Sequence, residues 1–422
     1  MRRLALVDVN NFYASCETIF NPKLAGRPVV VLSNNDGCVV ARSAEAKALG
    51  VKMASPWFQL RDLAKQHGII ALSSNYTLYA DMSNRVMTIL ADMAPSQEVY
   101  SIDECFLDLT GLPNLDSYAH SIRSRIKQWT GLPVCVGVAS TKTRAKLANH
   151  VAKKNPDLGG VFDLDALDTH SENRLLSRIE VGEVWGIGRK LSARLKDLGI
   201  NTVAQLRDAD TQVIRDQFGV VVERTVEELR GTHCMGLELV APNKQQIISS
   251  RSFGQEVESF EELREAVLTY VTRAAEKLRS QQSLAGAVQV FIHTNQFKEK
   301  IPQYSRSFLY PLATPTDDIL TLGRYAVAAL GRIYKAGYRY KKAGTMLTEL
   351  SPRSMRQATL FEDMASIDKR ERLNSALDLV NRRYGTGTAV IAGTGIQKAW
   401  KMQRGNLSPE YTTDWSSLPH VG

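Results

Sequence analysis

Short apolar runs rich in β-forming residues alternate with segments of helical period along much of the chain, and two of those runs contain acids. LALVDVN (residues 4–10) reads as a buried strand with Asp8 near its end. VYSIDECFLDL (99–109) alternates apolar and polar positions and predicts a second strand, with Asp103 and Glu104 in its middle. VCVGVAS (134–140) predicts a third, and YADMSNRVMTILADM (79–93) and TKTRAKLANHVAKK (141–154) predict helices. Together they describe an α/β layer.

The rest of the pattern divides the chain further. Residues 21–72, with Pro22, Pro28 and Pro56 and two short apolar runs, read as an insertion into that layer. From 164 to 232 the chain turns to short helices punctuated by glycine, and the polar stretch 233–246, with Pro242, reads as a linker. Residues 247–350 then follow the order β-α-β-β-α-β, a split βαβ layer, and 351–422 form a more polar tail.

Composition narrows the class. A length of 422 residues implies several domains, and 44% hydrophobic with 23% charged residues argues against a disordered or fibrous chain. No apolar run approaches the ~18 residues that would span a bilayer, and the run before Asp8 is too short for a signal peptide, so a soluble, intracellular protein is expected. The five cysteines are scattered and never spaced C-x-x-C, which argues for reduced core thiols rather than a disulfide framework or a zinc site. The net charge of +9 suits a polyanionic partner. Part of the excess is local: Arg306, Arg324, Arg332, Lys335, Arg339, Lys341 and Lys342 face only Asp317, Asp318 and Glu349 within 301–350.

An acid inside a buried strand is costly to ionise unless a cation or hydrogen bonds compensate. Neighbouring strand residues point to opposite faces, so Asp103 and Glu104 can serve one ion pair only at a strand end, bulge or tight turn. Three such carboxylates suit two Mg2+ ions, which take oxygen ligands and complete their shells with water and phosphate oxygens. On spacing alone the set fits any two-metal enzyme with a palm-like layer, a nucleotidyl cyclase included. Each acid taken singly also fits a helix cap or the partner of a surface base.

DVNNFYASCE (8–17) followed by YSIDE (100–104) resembles the signature pair of the Y-family DNA polymerases. The fuller text, VVVLSNNDGCVVARSAEAKALGVKM (29–53) and NYTLYADMSNRVM (75–87), is similar to the UmuC branch, and the resemblance covers nearly the whole chain. It implies an α/β multidomain right-hand polymerase. A ferredoxin-like palm would take 1–20 and 73–163, small fingers 21–72, and a helical thumb with a helix-hairpin-helix 164–232. The linker would be 233–246, a β-α-β-β-α-β little finger 247–350, and the tail 351–422. It also implies catalysis by Asp8, Asp103 and Glu104, which with the backbone carbonyl of Val9 would hold two Mg2+ ions. Tyr13 matches the steric gate, the ring beneath the sugar that clashes with a ribose 2'-hydroxyl. Lys47 and Lys153 match triphosphate contacts, although many relatives have Arg at the first position, and Ala44 stands where many have Tyr.

VWGIGRKLSARLKDLGI (184–200) resembles a helix-hairpin-helix, with Gly186 and Gly188 allowing backbone N–H groups close to a DNA phosphate and Arg189 and Lys190 adding charge. Trp185 stands where relatives often have Pro. Gln357, Leu360 and Phe361, in QATLF, resemble the peptide that binds the bacterial sliding clamp. Residues 370–422 resemble a UmuC-specific extension, implying a UmuD-like accessory dimer and RecA as partners. The expectation is error-prone translesion synthesis in the bacterial cytoplasm on primer-template DNA with deoxynucleoside triphosphates, without a membrane. A catalytically inactive DNA and clamp adaptor is the alternative, which the intact carboxylates oppose.

Overall fold

The computed structural model describes residues 2–240, 242–298, 300–357, 364–395 and 398–417. The chain divides into two compact units, one of Met1–Ser33, Cys38–Ala241 and Asn406–Gly422 and the other of Asn34–Gly37 and Pro242–Gly405.

The strands of the first unit are β1 (Leu4–Val9), β2 (Val29–Leu32), β3 (Val39–Arg42), β4 (Ile70–Ser73), β5 (Ser96–Val99), β6 (Glu104–Asp108), β7 (Val134–Ala139) and β8 (Val161–Asp163). Five of them form the main sheet in the order β5-β6-β1-β7-β8. β1 lies between β6 and β7, antiparallel to both, which is why LALVDV is buried along its whole length. Helices α1 (Phe12–Phe20), α4 (Tyr76–Asp92), α5 (Leu115–Thr130) and α6 (Lys142–Lys154) accompany this sheet; between α1 and α4 come α2 (Ala44–Ala48) and α3 (Arg61–His67). The latter two belong with the small sheet β3-β2-β4, which has its own apolar core around Val30, Leu32 and Val51. Helices α7 (Thr169–Leu176), α8 (Arg189–Asp197), α9 (Val203–Asp208), α10 (Thr211–Phe218) and α11 (Val220–Leu229) follow. Fully buried Glu228 of α11 accepts from the N–H groups of Thr143, Cys234 and Met235, so the start of the expected linker is held to the first unit.

One expectation is corrected here. Residues 99–109 are not a single strand: β5 ends at Val99, residues 100–103 form a turn, and β6 begins at Glu104. Polar alternation continues across the turn, so periodicity alone could not reveal it.

In the second unit β9 (Ile247–Val257), α12 (Phe260–Ser280), β10 (Ser283–Thr294), β11 (Ser305–Thr316), α13 (Ile319–Ile333) and β12 (Tyr340–Pro352) follow the expected order. The sheet runs β11-β10-β12-β9, every neighbouring pair antiparallel, so β12 separates β9 from β10 as in a split βαβ layer. α12 and α13 cover the face carrying Val288, Val290 and Ile292. A further helix, α14 (Met364–Tyr384), is joined to α12 through a two-toothed ion pair of Arg279 with Asp378, each contact 2.6 Å.

The helix α6 approaches the main sheet unusually closely. A Cβ at Gly137 on β7 would lie 2.1 Å from the backbone nitrogen of Asn149 and 2.4 Å from the carbonyl oxygen of Ala145. Glycine therefore lets the α6 backbone rest on β7, and the Asn149 amide then donates to Leu6 O at 3.2 Å and Cys135 O at 2.9 Å. Gly137→Ala is expected to destabilise the protein by about 1–3 kcal/mol, measured as a lowered urea midpoint. An unchanged midpoint would show that the contact tolerates a methyl group.

Candidate active site

Asp8 is the next-to-last residue of the central strand and is only 9% exposed. Its register partner on β6 is Glu104, so the two carboxylates start from directly opposed positions on adjacent strands. Asp103 reaches the same edge from the turn, whose carbonyl accepts the N–H of Val9 at 2.9 Å. Ser101 builds that turn. Its hydroxyl accepts from the N–H groups of Asp103 (3.2 Å) and Glu104 (3.1 Å) and donates to the Asp103 carboxylate at 2.6 Å. The N–H groups of Tyr100 and Ser101 both point to the Glu104 carbonyl at 3.1 Å. Consecutive acids reach one edge because one lies in the turn and the other opens the strand.

Helix α6 supplies the opposing charge. Lys142, Lys146, Asn149 and Lys153 follow steps of four, three and four residues, one face of a helix. Lys142 pairs with Glu98 at 2.5 Å, Lys146 with both oxygens of Glu104 at 2.9 and 3.0 Å, and Lys153 with Asp8 at 2.5 Å. Burial pushes the Asp8 carboxyl up to about 6. Lys153 opposes that rise, while Glu104 and Asp103 add to it. Lys146 also lies 4.6 Å from the Tyr100 ring and 5.1 Å from that of Trp185, so the residue that replaces the usual proline helps enclose it.

Asp8, Val9, Tyr13, Lys47, Asp103 and Lys153 line one cleft of about 380 Å3. Glu104 is turned out of it toward Lys146. Tyr13, on α1, stacks against buried Tyr79 with ring centroids 4.4 Å apart and planes 13° from parallel. Lys47 donates to the side chain of Asn11, a left-handed residue that precedes α1. Burial lowers the Lys47 pKa, and the nearby cations Arg42 and Lys153 lower it further. This end of the cleft is thus cation-rich and favours an anion. Ala44 opens α2 and does not line the cleft.

Sequence reasoning passed over Ser101, Lys146, Arg42 and Asn11. The four-three-four spacing in 142–153 was the signal for Lys146. Arg42 closes strand β3, where nothing in the alternation marks its role, and Ser101 and Asn11 are placed by turn and loop geometry, which leaves no period to read.

The remaining expected residues lie apart from the cleft. Gly186 has φ +86° in the turn before α8, Gly188 caps that helix, and Arg189 and Lys190 are exposed on its first turn. Gln357 is exposed, whereas Leu360 and Phe361 lie outside the described residues. Among the described residues, no group of three or more His, Cys, Asp or Glu side chains is assembled to hold a metal ion, and no helix is long and apolar enough to cross a membrane.

Comparison with known proteins decides the family. The impB/mucB/samB family matches residues 7–150 and its C-terminal domain 244–360, the IMS family HHH motif matches 171–200, and a domain of unknown function, DUF4113, matches 371–421. Protein UmuC of Salmonella typhimurium is 48% identical over 421 residues, 99% of each chain. The chain belongs to the impB/mucB/samB family. Protein MucB of Escherichia coli is 45% identical over 98% of each chain, which agrees with that placement in the UmuC branch of the Y-family. For the fold, a Y-family DNA polymerase chimera of Dbh and Dpo4 matches with a TM-score of 0.64 at 22% identity, over 83% of this chain and 99% of that one. DinB from Sulfolobus solfataricus matches with a TM-score of 0.52, also at 22% identity, over 82% and 98%. The palm, fingers, thumb and little-finger fold follows. Membership in this branch makes the protein a DNA polymerase of error-prone translesion synthesis in SOS mutagenesis, and the adaptor alternative falls away.

Ser101→Ala removes the three hydrogen bonds that shape the turn. It is expected to slow nucleotide incorporation by roughly 10- to 100-fold while the unfolding midpoint moves little. Wild-type incorporation would remove Ser101 from the group that positions Asp103.

Proposed function

We propose that the cleft beside Asp8 is where nucleotidyl transfer takes place, with Asp8, Asp103, Glu104 and the Val9 carbonyl as the ligands of two Mg2+ ions. The reading rests on one observation above others: Asp8, Asp103, Tyr13, Lys47 and Lys153 line a single cleft although they come from four separate segments. The donor set is all oxygen, without thiol or imidazole, and suits a hard divalent cation. When bound, such ions favour ionisation of an attacking hydroxyl and stabilise a departing pyrophosphate.

The protein's own groups account for the remaining requirements. Asp8 is buried among like charges and needs a cation, a role Lys153 fills in the structure described. Lys153, once displaced from Asp8, joins Lys47 and Arg42 as a partner for phosphate oxygens. The Tyr13 ring, backed by Tyr79, occupies the floor on which a sugar would rest and would exclude a 2'-hydroxyl. Gly186, Gly188, Arg189 and Lys190 are assigned to backbone phosphates of the primer-template, and such contacts weaken as salt rises. Lys342, on the sheet face left uncovered by α12 and α13, is assigned the same duty. Gln357, Leu360 and Phe361 are assigned to a sliding clamp. A UmuD-like dimer and RecA are the proposed accessory partners, in the bacterial cytoplasm.

Primer extension with Mg2+ on undamaged and abasic templates tests the site. Asp103→Ala with Glu104→Ala is expected to lose roughly 10³-fold or more in rate, and extension equal to wild type would refute the assignment. If the wild-type chain is inactive alone, the comparison is made with a UmuD-like dimer and RecA added. Lys47→Ala is expected to raise KM for the deoxynucleotide on the order of tenfold with a smaller change in kcat. An unaltered KM would return Lys47 to the solvated surface.

A further inference from the structure

The segment Asn406–Tyr411 lies within the region matched only as a domain of unknown function, and its contacts fall on β4, the start of α4 and α1. The Ser73 N–H donates to Asn406 O at 2.8 Å, the Asn406 N–H donates to the Ser73 hydroxyl at 3.0 Å, and Leu407 forms a parallel bridge with Ser73. Asn75, the cap of α4, is 1% exposed. Its side-chain amide donates to the Ser408 hydroxyl (3.0 Å) and to the carbonyls of Ser408 (3.2 Å) and Pro409 (3.1 Å), while its oxygen accepts from the Leu78 N–H.

The contacts converge on the two helices that form the Tyr13–Tyr79 stack. On α1, Tyr13, Glu17 and Phe20 follow steps of four and three and share a face. Glu17 is 1% exposed and accepts the Tyr79 hydroxyl at 2.6 Å, and the nearby Ser408 hydroxyl favours its ionised form. Phe20 stacks on Tyr411 with centroids 5.1 Å apart and planes 11° from parallel. The Ser408 hydroxyl thus accepts from Asn75 and lies beside buried Glu17, with its own hydrogen still available to donate. That buried carboxylate is the group that fixes Tyr79, on which Tyr13 rests.

We propose that Asn406–Tyr411 is a strap that sets the position of the sugar gate, with Ser408 as its positioning residue, so that the tail contributes to discrimination between deoxyribo- and ribonucleotides. The proposal rests on the gate reading of Tyr13. A strap serving only the fold would alter incorporation of both sugars alike, whereas a strap serving the gate shifts their ratio.

The experiment measures kcat/KM for a deoxynucleotide and its ribonucleotide counterpart on one template, in the full-length chain with whatever accessory proteins its activity needs. Tyr13→Ala is expected to collapse the ratio. Ser408→Ala is expected to lower it on the order of threefold to tenfold, the scale of one lost hydrogen bond, and Ser408→Thr, which keeps the hydroxyl, to restore it. Tyr411→Leu, which removes the stack on Phe20, is expected to lower it as well and is read instead if Ser408→Ala does not fold. A collapsed ratio in Tyr13→Ala beside a wild-type ratio in the strap variants would overturn the strap while leaving the gate intact. An unchanged ratio in Tyr13→Ala would overturn both.

Discussion

The burial of the Asp8 carboxylate at the end of a central strand, beside two further acids, is the constraint around which the first unit is organised. Ionised carboxylates in such a place repel one another and have lost most of their water, so they require cations at short range. Helix α6 provides them from a single face, and it does so because Gly137 allows its backbone to settle on β7. The Ser101 turn provides the other half, bringing consecutive acids to one edge instead of opposite faces of a strand. Strand order, turn chemistry and one glycine thus act on a common electrostatic requirement.

On the proposed reading, that arrangement gives the lysines two partners over a catalytic cycle. Their ammonium groups neutralise the acids in the structure described and would become available to phosphate once divalent cations took the acids. Arg42 adds to the same field, and it and Lys153 lower the Lys47 pKa beyond the larger effect of burial. On the same proposed reading, specificity for the sugar is a separate matter of packing. It depends on an aromatic stack whose outer ring meets the cleft and whose inner ring is tied by its hydroxyl to buried Glu17.

Much of this was legible in the sequence, and the limits have physical causes. The order of strands and helices followed from apolar periodicity, and the right-hand fold followed from the motifs around Asp8 and Asp103. The break in 99–109 was hidden because a side-chain hydroxyl makes that turn while the alternation of polar and apolar residues runs on. Lys146 could have been found from its spacing with Lys142 and Lys153. The tail was opaque for a different reason: its anchoring uses amide and hydroxyl contacts to backbone, as at Asn75 and Ser408, and isolated aromatics such as Trp400, which sits against Phe253 and Tyr270. None of these contacts produces a repeating pattern.

On the proposed reading, the buried Asp8 carboxylate is a cation site that Lys153 guards until divalent ions arrive. The rate of single-nucleotide incorporation as a function of Mg2+ concentration, in the wild type and in Asp8→Asn, tests it most directly. The wild type should show a steep, saturable rise, and Asp8→Asn, similar in shape but without the negative charge, should lose that response across the whole range. A variant that responds to Mg2+ as the wild type does would contradict the account.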